Sequence, residues 1–68
     1  AITARIKAQL ARDKDLSALD INVSTLDRKV TLSGKAYSPQ EVAKAVDIAL
    51  NTEGVKEVVS AIAIKKRG

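Results

Sequence analysis

Three carboxylates lie close together in the first third of the chain, at Asp13, Asp15 and Asp20. Neighbouring carboxylates can act as general acid and base, or they can bind a hard cation. The run from Asp13 starts like a calcium-binding loop, but it has Ala18 where the loop requires glycine and Ser24 where it requires a bidentate glutamate. Because the match fails at both positions, we interpret these carboxylates as solvated charges at a helix end.

The residue types that most enzymes use for other chemistry are absent. The chain contains no histidine and no cysteine, which removes the commonest general base and metal ligand together with the thiolate nucleophile. No serine has an obvious activating partner in the sequence. We therefore predict a protein that is not an enzyme and that has no cofactor and no metal site.

A glycine and a helix start occur close together at Gly34 and Ser38, an arrangement that can cradle a phosphate or simply turn a tight corner. Ser38 is predicted to cap a helix that begins at Pro39, and Glu41 completes a capping box, so the free N–H groups are satisfied within the chain. Neither G-x-x-x-x-G-K-S/T nor G-x-G-x-x-G occurs. We interpret Gly34 as a structural corner.

The elements that would position these residues follow from the hydrophobic periodicity. Ile2, Ile6 and Leu10 recur at four-residue steps and predict a first helix that ends near residues 13–15. Residues 21–26 and 30–36 alternate between apolar and polar side chains, which predicts two strands joined as an antiparallel hairpin. The turn type stays open because no glycine marks the turn.

A second helix and a third strand complete the predicted order. The apolar stripe of the second helix is predicted at Val42, Val46, Ala49 and Leu50, and Gly54 ends the helix. The last element is opened by Val55, and its alternation from Val58 to Ile64 predicts a third strand that should run parallel to the second through a right-handed crossover. The strand order is open, because the first strand could lie at the edge or between the other two. The sheet face away from the helices should be small and polar, with Asn22, Ser24, Thr31, Ser33, Lys35, Ala61 and Ala63.

We predict an α+β fold, a two-layer αββαβ sandwich with a mixed three-stranded sheet and both helices on one face. The 68 residues form one domain, with a core in residues 2–64 and a basic tail in 65–68. Its core must be aliphatic, since Tyr37 is the only aromatic residue. No run is long enough to span a membrane and no secretion signal begins the chain, so we expect a mature protein or an excised domain.

The order and spacing of these pieces resemble the BON domain, named after bacterial osmotically inducible and nodulation proteins. The segments VTLSG at residues 30–34 and GVKEV at residues 54–58 carry most of the resemblance. The resemblance implies a non-catalytic αββαβ domain of the bacterial periplasm or cell envelope, often with further BON copies in the parent chain. It also implies association with phospholipid interfaces, or a role in maintaining the envelope under osmotic stress. Asp27-Arg28 stands where such domains commonly have a hairpin glycine.

The charge distribution suggests how such a domain would meet a membrane. The formal net charge is +4, and residues 1–12 and 58–68 each carry +3. Positive charge near an anionic leaflet favours peripheral, salt-sensitive binding. The candidate lipid-contacting residues are the cations of the first helix and of the tail, Arg5, Lys7, Arg12, Lys65, Lys66 and Arg67. Structural roles are expected for Gly34, Ser38, Glu41 and Gly54.

The residue pattern also bears on other classes of partner. Nucleic acid is not expected, because sheet-face recognition needs exposed aromatic residues and a G-x-x-G clamp does not occur. A protein-interaction module of a multidomain envelope protein is the alternative, docking a neighbour through the sheet edge or the small face at Ala61 and Ala63. An ion such as potassium, bound by backbone carbonyls, is a further alternative for which no residue pattern identifies a site.

Overall fold

A computed structural model describes residues 1–66 of the chain. Helix α1 spans Ile2–Arg12 and helix α2 spans Pro39–Leu50. The strands are β1 at Ile21–Leu26, β2 at Lys29–Ala36 and β3 at Glu57–Ile64. This is the predicted element order, and the α+β fold class is confirmed.

The three strands form a mixed sheet in the order β1-β2-β3. Strand β1 pairs antiparallel with β2, from Ile21 opposite Gly34 to Leu26 opposite Lys29. Strand β2 pairs parallel with β3, from Lys29 opposite Glu57 to Ala36 opposite Ile64, as the crossover rule predicts. The sheet therefore has β2 at its centre, which answers the question of strand order that the sequence left open.

The hairpin turn contains no glycine, yet both of its central residues have positive φ, 51° at Asp27 and 66° at Arg28. Two central residues in this region define a type I′ turn, whose twist matches the flanking strands. Aspartate tolerates this conformation better than most residues, whereas arginine does not. The Arg28 carbonyl also accepts N–H bonds from Lys56 at 2.8 Å and Glu57 at 3.4 Å. The turn therefore touches the start of β3.

One aliphatic core joins both helices to the same side of the sheet. Its buried members are Ile6, Leu10, Leu16, Val30, Leu32, Ala45 and Ala49. The two alanines let α2 approach the sheet closely. The prediction that Leu50 belongs to the buried stripe is wrong, because its side chain is 55% exposed. At 100° per residue, Leu50 lies about 120° around the helix from the midpoint of Ala45 and Ala49.

Gly34 lies within β2, and the strand continues beyond it to Ala36. Its φ is +117°, and a Cβ there would overlap the backbone carbonyl of Asp20, just before β1. The same carbonyl accepts the Lys35 N–H at 3.0 Å. Gly34 therefore permits a close backbone approach where the chain enters β1.

The sheet face away from the helices matches the expected polar and small side chains, with two apolar additions. Asn22, Ser24 and Ala61 are exposed, as expected for a solvated face. Leu26 at the end of β1 is 74% exposed and Val59 of β3 is 38% exposed. This face is therefore less polar than the sequence pattern indicates.

Candidate functional site

The exposed half of α1 carries three cations, with Arg5 and Arg12 about 20° apart around the helix and Lys7 about 140–160° from them, on the other flank. The opposite side of the helix buries Ile6 and Leu10 in the core, so packing fixes which residues face solvent. None of the three cations forms a salt bridge within residues 1–66. We call this surface the α1 basic face. Its charges are available to an anionic partner.

A cavity of about 160 Å³ adjoins the second half of this face. It lies between α1, the α1–β1 connection and the start of β1, and among residues 1–66 Lys7 is the one charged residue that lines it. The other lining side chains are mostly apolar, namely Leu10, Ala11, Leu16, Ser17, Leu19 and Ile21. One amine therefore stands beside a small recess lined by both apolar side chains and polar groups.

The basic tail begins at the opposite edge of the sheet. Lys65 is still attached to the sheet through its backbone N–H, which donates to the Ala36 carbonyl at 2.8 Å. Lys66 is exposed, and Arg67 lies outside the described residues. Helix α1 packs against β1 and α2, whereas the tail follows β3 with β2 between them. The structure therefore does not join the α1 basic face and the tail into one cluster.

Part of the α1 basic face nevertheless lies at the same end of the sheet as the basic tail. Ile21 at the start of β1 lines the same cavity as Lys7 and Ala11, and the ends of β2 and β3 lie at that end of the sheet. Arg5 is nearer the other end, because its neighbour Thr3 bonds Thr25 through their hydroxyls at 2.7 Å. The second half of α1 and the tail therefore flank one end of the domain.

The carboxylates near the end of α1 are occupied by a lysine from α2. Lys44 Nζ lies 3.0 Å from Asp13 and 3.0 Å from Asp15. Asp13 Oδ1 also accepts backbone N–H bonds from Asp15 at 2.9 Å and Leu16 at 3.2 Å. The hydrogen bond from Lys44 lowers the pKa of Asp13, and the two carboxylates raise the pKa of Lys44.

This arrangement is unsuited to acid–base catalysis. A general acid requires a carboxyl pKa raised towards neutrality, whereas the pKa of Asp13 is lowered. Within residues 1–66, histidine, cysteine, aspartate and glutamate form no group of three that could hold a metal ion. Asp13 and Asp15 instead tie the α1–β1 connection to α2, a link that differs from the solvated charges expected from the sequence.

The start of α2 satisfies its own N–H donors. Ser38 Oγ accepts the Glu41 N–H at 3.3 Å, and Glu41 Oε1 accepts the Tyr37 N–H at 2.7 Å. An anion at this helix start would have to displace both side chains. The space beside Gly34 is filled by the backbone carbonyl of Asp20. The arrangement leaves no phosphate cradle between them.

Two polar links that join α2 and the residues just after it to α1 and the α1–β1 connection were not predicted from the sequence. Gln9 Nε2 donates to Thr52 Oγ1 at 2.9 Å, and the buried Thr52 hydroxyl donates to the Ile48 carbonyl at 2.8 Å. The Lys44 bridge is the second. Both depend on how α1 crosses α2, and periodicity along a single helix carries no signal for that crossing.

The protein is therefore a small α+β domain, and the exposed cations of α1 are its main candidate binding surface. No helix in residues 1–66 is long and apolar enough to cross a membrane. The chain belongs to the BON domain family, which it matches over residues 1–66.

Two relatives extend this assignment. The chain is similar to Osmotically-inducible protein Y of Escherichia coli (strain K12), with 41% identity over 58 residues, which cover 85% of this chain and 29% of that protein. It is also similar to a protein of Anaplasma centrale described as "Uncharacterized protein in gshII 5'region", with 31% identity over 65 residues, covering 96% of this chain and 43% of that protein. The chain therefore spans less than half the length of either relative.

Proposed function

We propose that this domain is a non-catalytic module of the bacterial cell envelope that associates peripherally with anionic phospholipid surfaces. Membership of the BON family supports an envelope role. Similarity to a protein named for osmotic induction supports a link to osmotic stress and a periplasmic or envelope location. Association with lipid would let the domain contribute to envelope integrity when the membrane is under osmotic load.

The α1 basic face is the observation that carries this proposal. Its three cations are exposed and form no salt bridge within residues 1–66. Lys7 also borders the cavity formed with Leu16 and Leu19, so one surface offers both an amine for a phosphate and a recess with apolar side chains beside it. Asp13 and Asp15, which follow Arg12 in the chain, both pair with Lys44, which offsets one of their two negative charges.

The expected strength is that of peripheral binding. Each cation near an anionic leaflet contributes about 1 kcal/mol, so Arg5 and Arg12, which share one flank of α1, contribute about 2 kcal/mol, roughly a 30-fold preference for the surface. Lys7 adds to this only in an orientation that also brings the other flank to the headgroups. Lys65 and Lys66 at the far edge of the sheet can add to this only if that end of the domain faces the membrane. Binding by one domain should therefore be reversible and weakened by salt.

An amide NMR titration of the labelled domain with bicelles tests the proposal. Anionic and zwitterionic bicelles are compared at low and moderate salt. We expect shifts centred on residues 5–12 and around the cavity, with anionic bicelles only, and smaller shifts at the higher salt. The absence of shifts at every lipid concentration would refute lipid association.

A matched pair of double variants separates a directed face from net charge. Arg5→Gln with Arg12→Gln removes two cations from the α1 basic face, and Arg28→Gln with Lys35→Gln removes two exposed cations elsewhere. The first pair should lower the partition constant about 30-fold, and the second pair should lower it far less. An equal loss in both would show that overall charge, and not α1, attracts the domain.

A further inference from the structure

Strand β3 is an eight-residue edge strand with almost none of the features that protect sheet edges. Edges are normally shielded by proline, by lysine or other charges, by bulges or by a covering segment. The sequence of β3, EVVSAIAI, contains no proline and no lysine, and Glu57 is its only charge. All eight of its residues pair in register with β2, so no bulge interrupts it.

The hydrogen-bonding groups that β3 leaves open can be identified residue by residue. At the end of β3 the Lys65 N–H donates to the Ala36 carbonyl of β2 at 2.8 Å. Just at its start the N–H groups of Lys56 and Glu57 share the Arg28 carbonyl. In a parallel ladder, alternate residues of a strand bond to the same neighbour, so the odd-numbered residues from 57 to 65 face β2. The N–H and C=O groups of the residues between them therefore point outward, at Val58, Ser60, Ile62 and Ile64.

We infer that this edge pairs with the same edge of a second copy of the chain. The two β3 strands run antiparallel, with Ala61 opposite Ala61 on a two-fold axis. The product is a six-stranded sheet in the order β1-β2-β3-β3-β2-β1. This inference goes beyond the proposed lipid association and does not rest on it.

Backbone geometry selects this register. In an antiparallel pair, residues that exchange hydrogen bonds must both point their groups at the partner strand. With Ala61 at the axis, Val58 pairs with Ile64 and Ser60 pairs with Ile62, so all four outward residues of each strand are used. Opposite residues then share a face, which keeps the helices of both copies on one side. A shift of two residues in either direction leaves an outward residue of β3 without a partner in the other β3.

Charge and burial favour a second copy as the occupant. The register places Glu57 of each copy opposite Lys65 of the other, in the pairs whose side chains approach most closely. Glu57 is 57% exposed and lies 3.7 Å from Lys29, so its carboxylate has room for a second cation. Ile64, 52% exposed, would be covered by Val58 of the other copy. Beyond the strand ends, Lys56 stands opposite Lys66, an unfavourable pair that salt should weaken.

Sedimentation equilibrium and amide hydrogen exchange, run without lipid across a wide concentration range, test the inference. We expect the average mass to rise towards that of a dimer. As it rises, exchange should slow at Val58, Ser60, Ile62 and Ile64, while the odd-numbered residues between them change little. A monomer at millimolar concentration would overturn the inference and leave the edge to an extended segment of another protein.

Charge exchange tests the register. Glu57→Lys and Lys65→Glu each place like charges opposite one another in the homodimer, so each variant alone should associate about tenfold more weakly. Mixed together, the two variants restore opposite charges at both contacts and should form the heterodimer preferentially. Lys66→Glu should strengthen self-association by facing Lys56. Circular dichroism melts verify that each variant folds. Association that is indifferent to all three changes would refute this register.

Discussion

Replacing Arg28 by glycine should stabilise the domain, because Arg28 holds a backbone conformation that glycine adopts without strain. Its φ of 66° lies in the left-handed region, which costs a residue with a Cβ about 1–2 kcal/mol. Glycine loses about 0.5–1 kcal/mol more conformational entropy than alanine on folding. At the midpoints of these two ranges, the net expectation is a gain of about 0.75 kcal/mol in the free energy of unfolding.

Little else should change in this variant. The Arg28 side chain is exposed and forms no salt bridge within residues 1–66. The Arg28 carbonyl, which accepts from Lys56 and Glu57, is retained in Arg28→Gly. Aspartate followed by glycine is also a preferred pair for a type I′ turn. For a domain of this size the gain corresponds to a melting temperature higher by about 3–6 °C.

Far-UV circular dichroism with urea or heat is the suitable assay, since the chain has no tryptophan and only one tyrosine. Arg28→Ala is the matched control, because it removes the same guanidinium but keeps the Cβ. The control should show no comparable gain. If Arg28→Gly melts at or below the temperature of the parent, or if Arg28→Ala gains as much, the turn is not strained as described.

Two further predictions follow from the contacts. Gly34→Val should lower the free energy of unfolding by at least about 2 kcal/mol, because a Cβ overlaps the Asp20 carbonyl and φ is +117°; a melting temperature unchanged within error contradicts this. The Lys44 bridge should make stability depend on pH at both extremes. Because the pKa of Asp13 is lowered in the folded state, its contribution to stability is complete above pH 3.8 and is lost as the pH falls through the folded-state pKa. Because the pKa of Lys44 is raised, its contribution is complete below pH 10.5 and is lost as the pH rises through the folded-state pKa. Lys44→Gln removes both contributions, so the difference in unfolding free energy between parent and variant should be largest between these limits; a constant difference across the whole range refutes the assignment.

Local signals predicted the elements well. The alternation in residues 21–26 and 30–36 and the apolar steps of the first helix are set by neighbours along the chain, and the structure places strands and a helix there. The parallel pairing of β2 with β3 was also predictable, since crossover handedness restricts the possibilities. The candidate cations of α1 could be found because helical spacing separates them from Ile6 and Leu10.

What could not be predicted depends on contacts between elements. Leu50 fits the helical stripe by sequence but faces solvent, because α2 presents Ala45 and Ala49 to the core. The bridge from Lys44 to Asp13 spans 31 positions and requires the packed arrangement of both helices. The Asp27-Arg28 turn has no glycine to reveal its type. Nor does the sequence alone show that the tail and α1 lie at opposite edges of the sheet.

The carbonyl shared by the hairpin turn and β3 restricts where the chain can change in length. Because Arg28 accepts N–H bonds from Lys56 and Glu57, an inserted residue in the turn would displace the first contact of the parallel ladder as well as the hairpin register. Residues 13–19 connect α1 to β1 without joining any strand ladder, whereas the Asp20 carbonyl already accepts the Lys35 N–H. Lys14 lies between the two aspartates that bind Lys44. Insertions, tags or grafted peptides should therefore be tolerated best at the exposed Ala18 and rejected at the hairpin.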